Sequence, residues 1–129
     1  MDDNQFIDSV ADRTGASAEQ ATAIARATLT TLAERIDGGE ARDLADRLPE
    51  ALRAYAFASG ETAEPFGLDV FVQRVGGRAD VEPDLAEAGI RAVFDTIRDT
   101  IGAGDYDDVI AQLPAELWQV ADPNPPYDG

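Results

Sequence analysis

Hydroxyls aside, the side chains of this chain that could do chemistry are carboxylates, arginines, three tyrosines and one tryptophan. There is no histidine, cysteine or lysine. That removes the usual general base, the thiol nucleophile, the Schiff-base amine, and imidazole and thiolate metal ligands. Ser9, Ser17 and Ser59 therefore have no histidine to activate them. The paired glycines, Gly38-Gly39 and Gly76-Gly77, do not form a phosphate-loop pattern. No cofactor is implied.

Three carboxylates, Asp105, Asp107 and Asp108, cluster at one predicted helix start. Oxygen ligands of this kind suit a hard divalent cation. Their spacing matches no EF-hand loop, and an acidic first turn also complements the helix dipole, which is the favoured reading. Two arginine pairs, Arg26 with Arg91 and Arg13 with Arg78, share one sequence offset of 65 positions. They could hold an anionic ligand. The favoured reading pairs them with acids inside the fold, Asp43 and Asp108 being the recurring acids available. Trp118 and Tyr127 are the aromatic candidates for contact with a partner, and packing of Trp118 within the fold is preferred.

The same offset runs through most of the chain. Residues 6 to 55 align without a gap on residues 71 to 120: Phe6 meets Phe71, Val10 meets Val75, Ala21 meets Ala86, Thr31 meets Thr96 and Ile36 meets Ile101. Gly39, Asp43, Leu48, Pro49 and Leu52 meet Gly104, Asp108, Leu113, Pro114 and Leu117. An ungapped register that keeps glycine and proline in place reads as duplication. Each copy predicts a short first helix, a long second one, a glycine stop, a short acidic-headed third helix, and a Leu-Pro break into a fourth. Asp2 or Asp3 caps the first helix, which Gly15 ends; Ser17 with Gln20 forms a capping box for the long helix that follows. Pro83 opens the second long helix. Gly89 stands where Ile24 stands in the first copy, so a close helix crossing is expected there. Residues 57 to 67 join the copies, with Phe57 and Phe66 as anchors, and no stretch alternates with period two.

A chain of 129 residues, 44% apolar, is one ordinary domain. One copy of about 50 residues would have a marginal core, so the copies should fold together. Twenty-six acids against ten arginines give a net charge of −16. Positions 1 to 64 contribute 6 − 13 = −7 and the remainder 4 − 13 = −9. The acidity thus belongs to the whole surface, as in a halophile's protein, where salt screens self-repulsion. It disfavours nucleic acid and anionic membranes as partners. The N-terminus lacks a signal-peptide layout and no run suits a membrane span, so a cytoplasmic protein is expected.

The combination of Phe71-Val72 with Val75, an alanine-rich helix over 83 to 101, and Gly104-Asp105 leading to Gln112-Leu113-Pro114 resembles the prokaryotic family catalogued as domain of unknown function 2267 (DUF2267). The resemblance covers residues about 3 to 121, less closely in the first copy, where Arg47 replaces the glutamine. It implies an all-helical domain without an established activity, and supplies no catalytic residues.

The chain therefore reads as an all-α protein: two tandem four-helix repeats in one domain with approximate two-fold pseudosymmetry. Repeat one covers about 3–57, a connector 58–67, repeat two about 68–121 and a proline-rich tail 122–129. The expected function is a non-enzymatic interaction or scaffold role, with a protein partner or a homo-oligomer, adapted to high salt. The alternative is an enzyme using carboxylates and a divalent metal.

Overall fold

The computed structural model describes residues 2–36, 38–56, 64–111, 117 and 120, and only the backbone of Gly38, Glu40 and Val109. The chain is all-helical: α1 Asp3–Thr14, α2 Ala18–Arg35, α3 Gly38–Arg47, α4 Glu50–Arg53 with a 3-10 turn Ala54–Ala56, α5 Leu68–Ala79, α6 Pro83–Ile101 and α7 Ala103–Ala111. No strand occurs among the described residues.

Local chemistry sets most of the boundaries. Asp2 and Gln5 form a capping box at the start of α1, and Gly15, at φ 74°, closes its end by donating to Ala11 O. Ser17 and Gln20 form the box of α2. Pro83 occupies the first turn of α6, where its missing N–H costs nothing. Leu48-Pro49 breaks the chain between α3 and α4, as expected. Nothing caps α4 from within, but the Asp3 carboxylate of α1 accepts a 3.1 Å bond from the Ala51 N–H.

The expected glycine stops are not where the long helices end. Gly38-Gly39 and Gly104 do not stop the long helices; they lie in the first turns of α3 and α7. Glycine keeps its N–H, and its helix penalty is a conformational-entropy cost of about 1 kcal/mol relative to alanine, too small to end a helix by itself. The chain instead leaves α2 through extended Ile36, and leaves α6 through Gly102 at φ 92°. Gly76-Gly77 lies inside α5, which continues to Ala79. Asp80, in the left-handed region at φ 57°, caps it, and the Val81 N–H donates to Gly76 O.

The bounds repeat at a fixed interval. Both α1 and α5 have 12 residues, and each bound of α5 lies 65 positions after that of α1. The starts of α2 and α6, and of α3 and α7, also differ by 65. The packing is crossed: α1 lies against α6 as well as α2, and α5 against α2 as well as α6, with α2 and α6 in contact. Phe6, Ile24, Leu29, Leu32, Phe71, Ile90 and Phe94 are fully buried in the shared core. Each such side chain contributes about 1.5–3 kcal/mol by leaving water. Ile24 crosses α6 at Gly89: a Cβ built on Gly89 would fall inside the Ile24 γ2 methyl. The absent side chain is thus what lets the long helices meet at this point.

Leu44, Leu48 and Leu52 are buried; Leu113-Pro114 lies outside the described residues. The sequence reading missed Tyr106, which is fully buried on α7. No described helix is long and apolar enough to cross a membrane.

Candidate functional site

The arginines are the informative polar residues, because the structure sorts them into fastened and available ones. Arg78 of α5 reaches α2, where it donates to both Glu34 oxygens at 2.7 Å and to the Thr31 hydroxyl at 2.8 Å. Arg13 of α1 reaches α6, where it donates to Asp99 and approaches Asp95 at 3.5 Å. It also donates to Ser9 Oγ, which shares a 2.9 Å hydrogen bond with Thr96. Thr31 and Thr96 are buried, and each returns its own proton to the carbonyl four residues earlier. Arg13 and Arg78, Thr31 and Thr96, and Glu34 and Asp99 are each 65 positions apart. Internal pairing of Arg13 and Arg78 is therefore observed, but the acids are Asp99 with Asp95, and Glu34. Asp43 and Asp108 do not fill this role. Asp43 lies on α3 and Asp108 on α7, whereas α1 packs on α6 and α5 on α2.

Around Glu34 the tie is extended. Arg74 bonds Glu34 and Glu64, and its guanidinium lies 4.2 Å from the centroid of the Phe66 ring. Phe66 meets Phe71 edge to face, so its expected anchoring is observed; Phe57 is outside the described residues. The Arg78 hydrogen bond holds the Glu34 carboxyl below its ordinary range; burial opposes this, and Arg74 adds to it. The basicity of Arg74 is raised, chiefly by its bond to Glu64.

Arg26 is arranged differently. Its guanidinium lies 5.1 Å from the centroid of the Tyr55 ring, and it has no carboxylate partner among the described residues. Ala23, Arg26, Ala27 and Thr30 of α2, Tyr55 and Arg78 line one groove of about 290 Å³. The alanines give it an apolar floor, and the two guanidiniums and the Thr30 side chain its polar edge. Arg91, at the equivalent position of the second half, lies 3.8 Å from Glu87 instead.

The other predicted residues are dispersed. Asp105, Asp107 and Asp108 are exposed, and Asp105 lies 3.7 Å from Arg47 of α3. Among the described residues, no group of three or more His, Cys, Asp or Glu is placed to hold a metal ion. Trp118 and Tyr127 lie outside the described residues. Nothing in the sequence marks Tyr55 as a site residue. Its link to Arg26 depends on the approach of the Ala54–Ala56 turn to α2, which sequence spacing does not encode.

No curated protein matches the chain. Residues 3–120 match the family described as "Uncharacterized conserved protein (DUF2267)", a span reaching from the first helix to the last described residue. The chain therefore belongs to the DUF2267 family.

Proposed function

We propose that this protein is a non-enzymatic interaction domain, built from two copies of one helical unit around an approximate two-fold axis and adapted to high salt. The observation that carries the reading is the closed seam at the centre. Clefts between structural units are favoured places for small-molecule and catalytic sites. Here Ile24 fills the space beside Gly89. The recurring polar residues around the crossing, Arg13 with Asp99 and Arg78 with Glu34, fasten one unit to the other. The duplication is supported by the common register of helix bounds and of these ties. A partner surface then lies on the outside of the bundle, for a second protein or a second copy of this chain.

The salt adaptation is supported by the net charge of −16 and the complete use of arginine for lysine. Affinity capture with the full chain at the host's own salt, quantified by mass spectrometry, tests the interaction reading. A partner recovered in near-stoichiometric amount is expected. The opposing result is a saturable site for magnesium, manganese or calcium in calorimetry at constant ionic strength, with no partner captured. That would transfer the function to carboxylate-based metal chemistry.

A further inference from the structure

We propose that the groove between Arg26, Tyr55 and Arg78 is a binding site for a compact oxyanion, a phosphate or a carboxylate, carried on a small molecule with a short apolar body. The two halves of the chain differ at this place. Beside Arg91 and Arg13, the second half places Glu87, Asp95 and Asp99, at 3.8 Å from Arg91 and at 3.5 Å and 2.5 Å from Arg13 respectively. The equivalent positions of the first half hold Thr22, Thr30 and Glu34. Two of the three carboxylates are thus threonine in the first half. Two guanidiniums there face one carboxylate, where the second half sets three against two. In a chain with 26 acids, this groove carries a local excess of positive charge.

The geometry adds to the charge. Arg26 lies over the Tyr55 ring, which restrains the flexible side chain while leaving its N–H edge free for bidentate bonding to an oxyanion. Arg78 is held by Glu34 and Thr31, so its position is set before any ligand arrives. Thr30, on the same wall, supplies a hydroxyl, and Ala23 and Ala27 leave room for a short apolar group. The volume, about 290 Å³, suits a small molecule. A net charge of −16 repels anions at long range in dilute buffer. At about 1 M salt the Debye length is about 3 Å, and the groove's own charges then dominate.

The test is an NMR titration of the full chain at constant, roughly molar ionic strength, following arginine Nε–Hε and backbone signals. Inorganic phosphate and succinate are titrated separately, which distinguishes the two sources of oxyanion. Saturable shifts at Arg26, Thr30, Tyr55 and Arg78 are expected with at least one of them. Arg26→Gln and Thr30→Asp should each weaken binding by about tenfold or more, the loss of a charge-assisted contact. Thr30→Asp supplies the carboxylate that Asp95 provides in the other half, so the fold should accept it. Arg42→Gln, which removes the same charge from α3 outside the groove, should leave binding unchanged. Shifts that grow linearly with both anions, or binding retained by folded Arg26→Gln or Thr30→Asp, would overturn the proposal. The interaction reading is tested separately by partner capture, so failure of one does not imply failure of the other.

Discussion

Ile24 and Gly89 are far apart in the chain, at equivalent positions of the two halves, and touch in the fold, the γ2 methyl of Ile24 filling the volume that a Gly89 side chain would need. Equivalent positions that meet one another lie on the axis relating the proposed copies. Two isoleucines would collide there, and two glycines would leave a hole. One of each closes the seam. Gly89 therefore lowers intrinsic helix propensity by about 1 kcal/mol relative to alanine, in exchange for close packing of α2 against α6.

Gly89→Ala should consequently destabilise the protein, by about 1–3 kcal/mol, because overpacking outweighs the propensity gain. Ile24→Ala alone should cost about 2–5 kcal/mol through the cavity it leaves. The double substitution should be more stable than the sum of the two single effects. Denaturant unfolding of the four proteins measures this, and strict additivity would show that the contact is not what selects glycine.

The Glu34–Arg78 tie should contribute stability with a defined pH dependence. The Arg78 hydrogen bond depresses the Glu34 carboxyl below its ordinary value of 4.5. A depressed folded-state pKa contributes stability that is full above the unfolded value and lost as pH falls through the folded one. Protonation also relieves the general repulsion of the acidic surface, so the informative quantity is the difference between wild type and Glu34→Gln. Because Arg78 is about one-third exposed, screening limits this advantage to about 1 kcal/mol at neutral pH. It should begin to shrink below 4.5 and vanish at lower pH. A constant difference from neutral to acidic pH would show that the charge of Glu34 is irrelevant to the fold.

Thr28 is fully buried, and its hydroxyl has no hydrogen-bond partner among the described residues. The equivalent position of the second half is Val93, also fully buried. Thr28→Val should therefore raise stability by about 1 kcal/mol, by removing an unsatisfied buried polar group with little change in shape. Lower stability in thermal or denaturant melts would mean that the hydroxyl is satisfied in solution.

Leu48→Ala should cost about 2–5 kcal/mol, as truncation of a buried leucine does. Tyr106→Ala should cost at least as much, since a larger buried side chain is lost. A loss below about 1 kcal/mol at Leu48 would make it a surface feature at the α3–α4 break.

The melting temperature should rise steeply as potassium or sodium chloride increases from roughly 0.1 M to 2 M, with most of the gain early. The Debye length falls from about 10 Å to about 3 Å between 0.1 M and 1 M, and with it the repulsion that unfolding relieves. Sulfate should pull ahead of chloride at high concentration, through exclusion from the protein surface. A flat profile would remove the support for salt adaptation.

Among the described residues, the sequence by itself determined the helices and their order; the fourth helix expected in the second repeat lies outside them. Apolar residues at helical spacing, the Asp2 and Ser17 caps, Pro83 and the Leu48-Pro49 break act within a few residues of chain, and these short-range signals were legible. It also marked Gly89 as the place of a close crossing. Only the tertiary structure decided what the glycines at 38, 39, 76 and 104 do, because a glycine permits a stop without requiring one. It alone assigned Glu34, Asp95 and Asp99 as the arginine partners, since crossed packing of α1 on α6 and α5 on α2 brings together residues distant in the chain. Burial of Tyr106 and the stacking of Arg26 on Tyr55 were illegible for the same reason. A side chain's surroundings are set by which helices cross it, and that choice is made by the whole core at once.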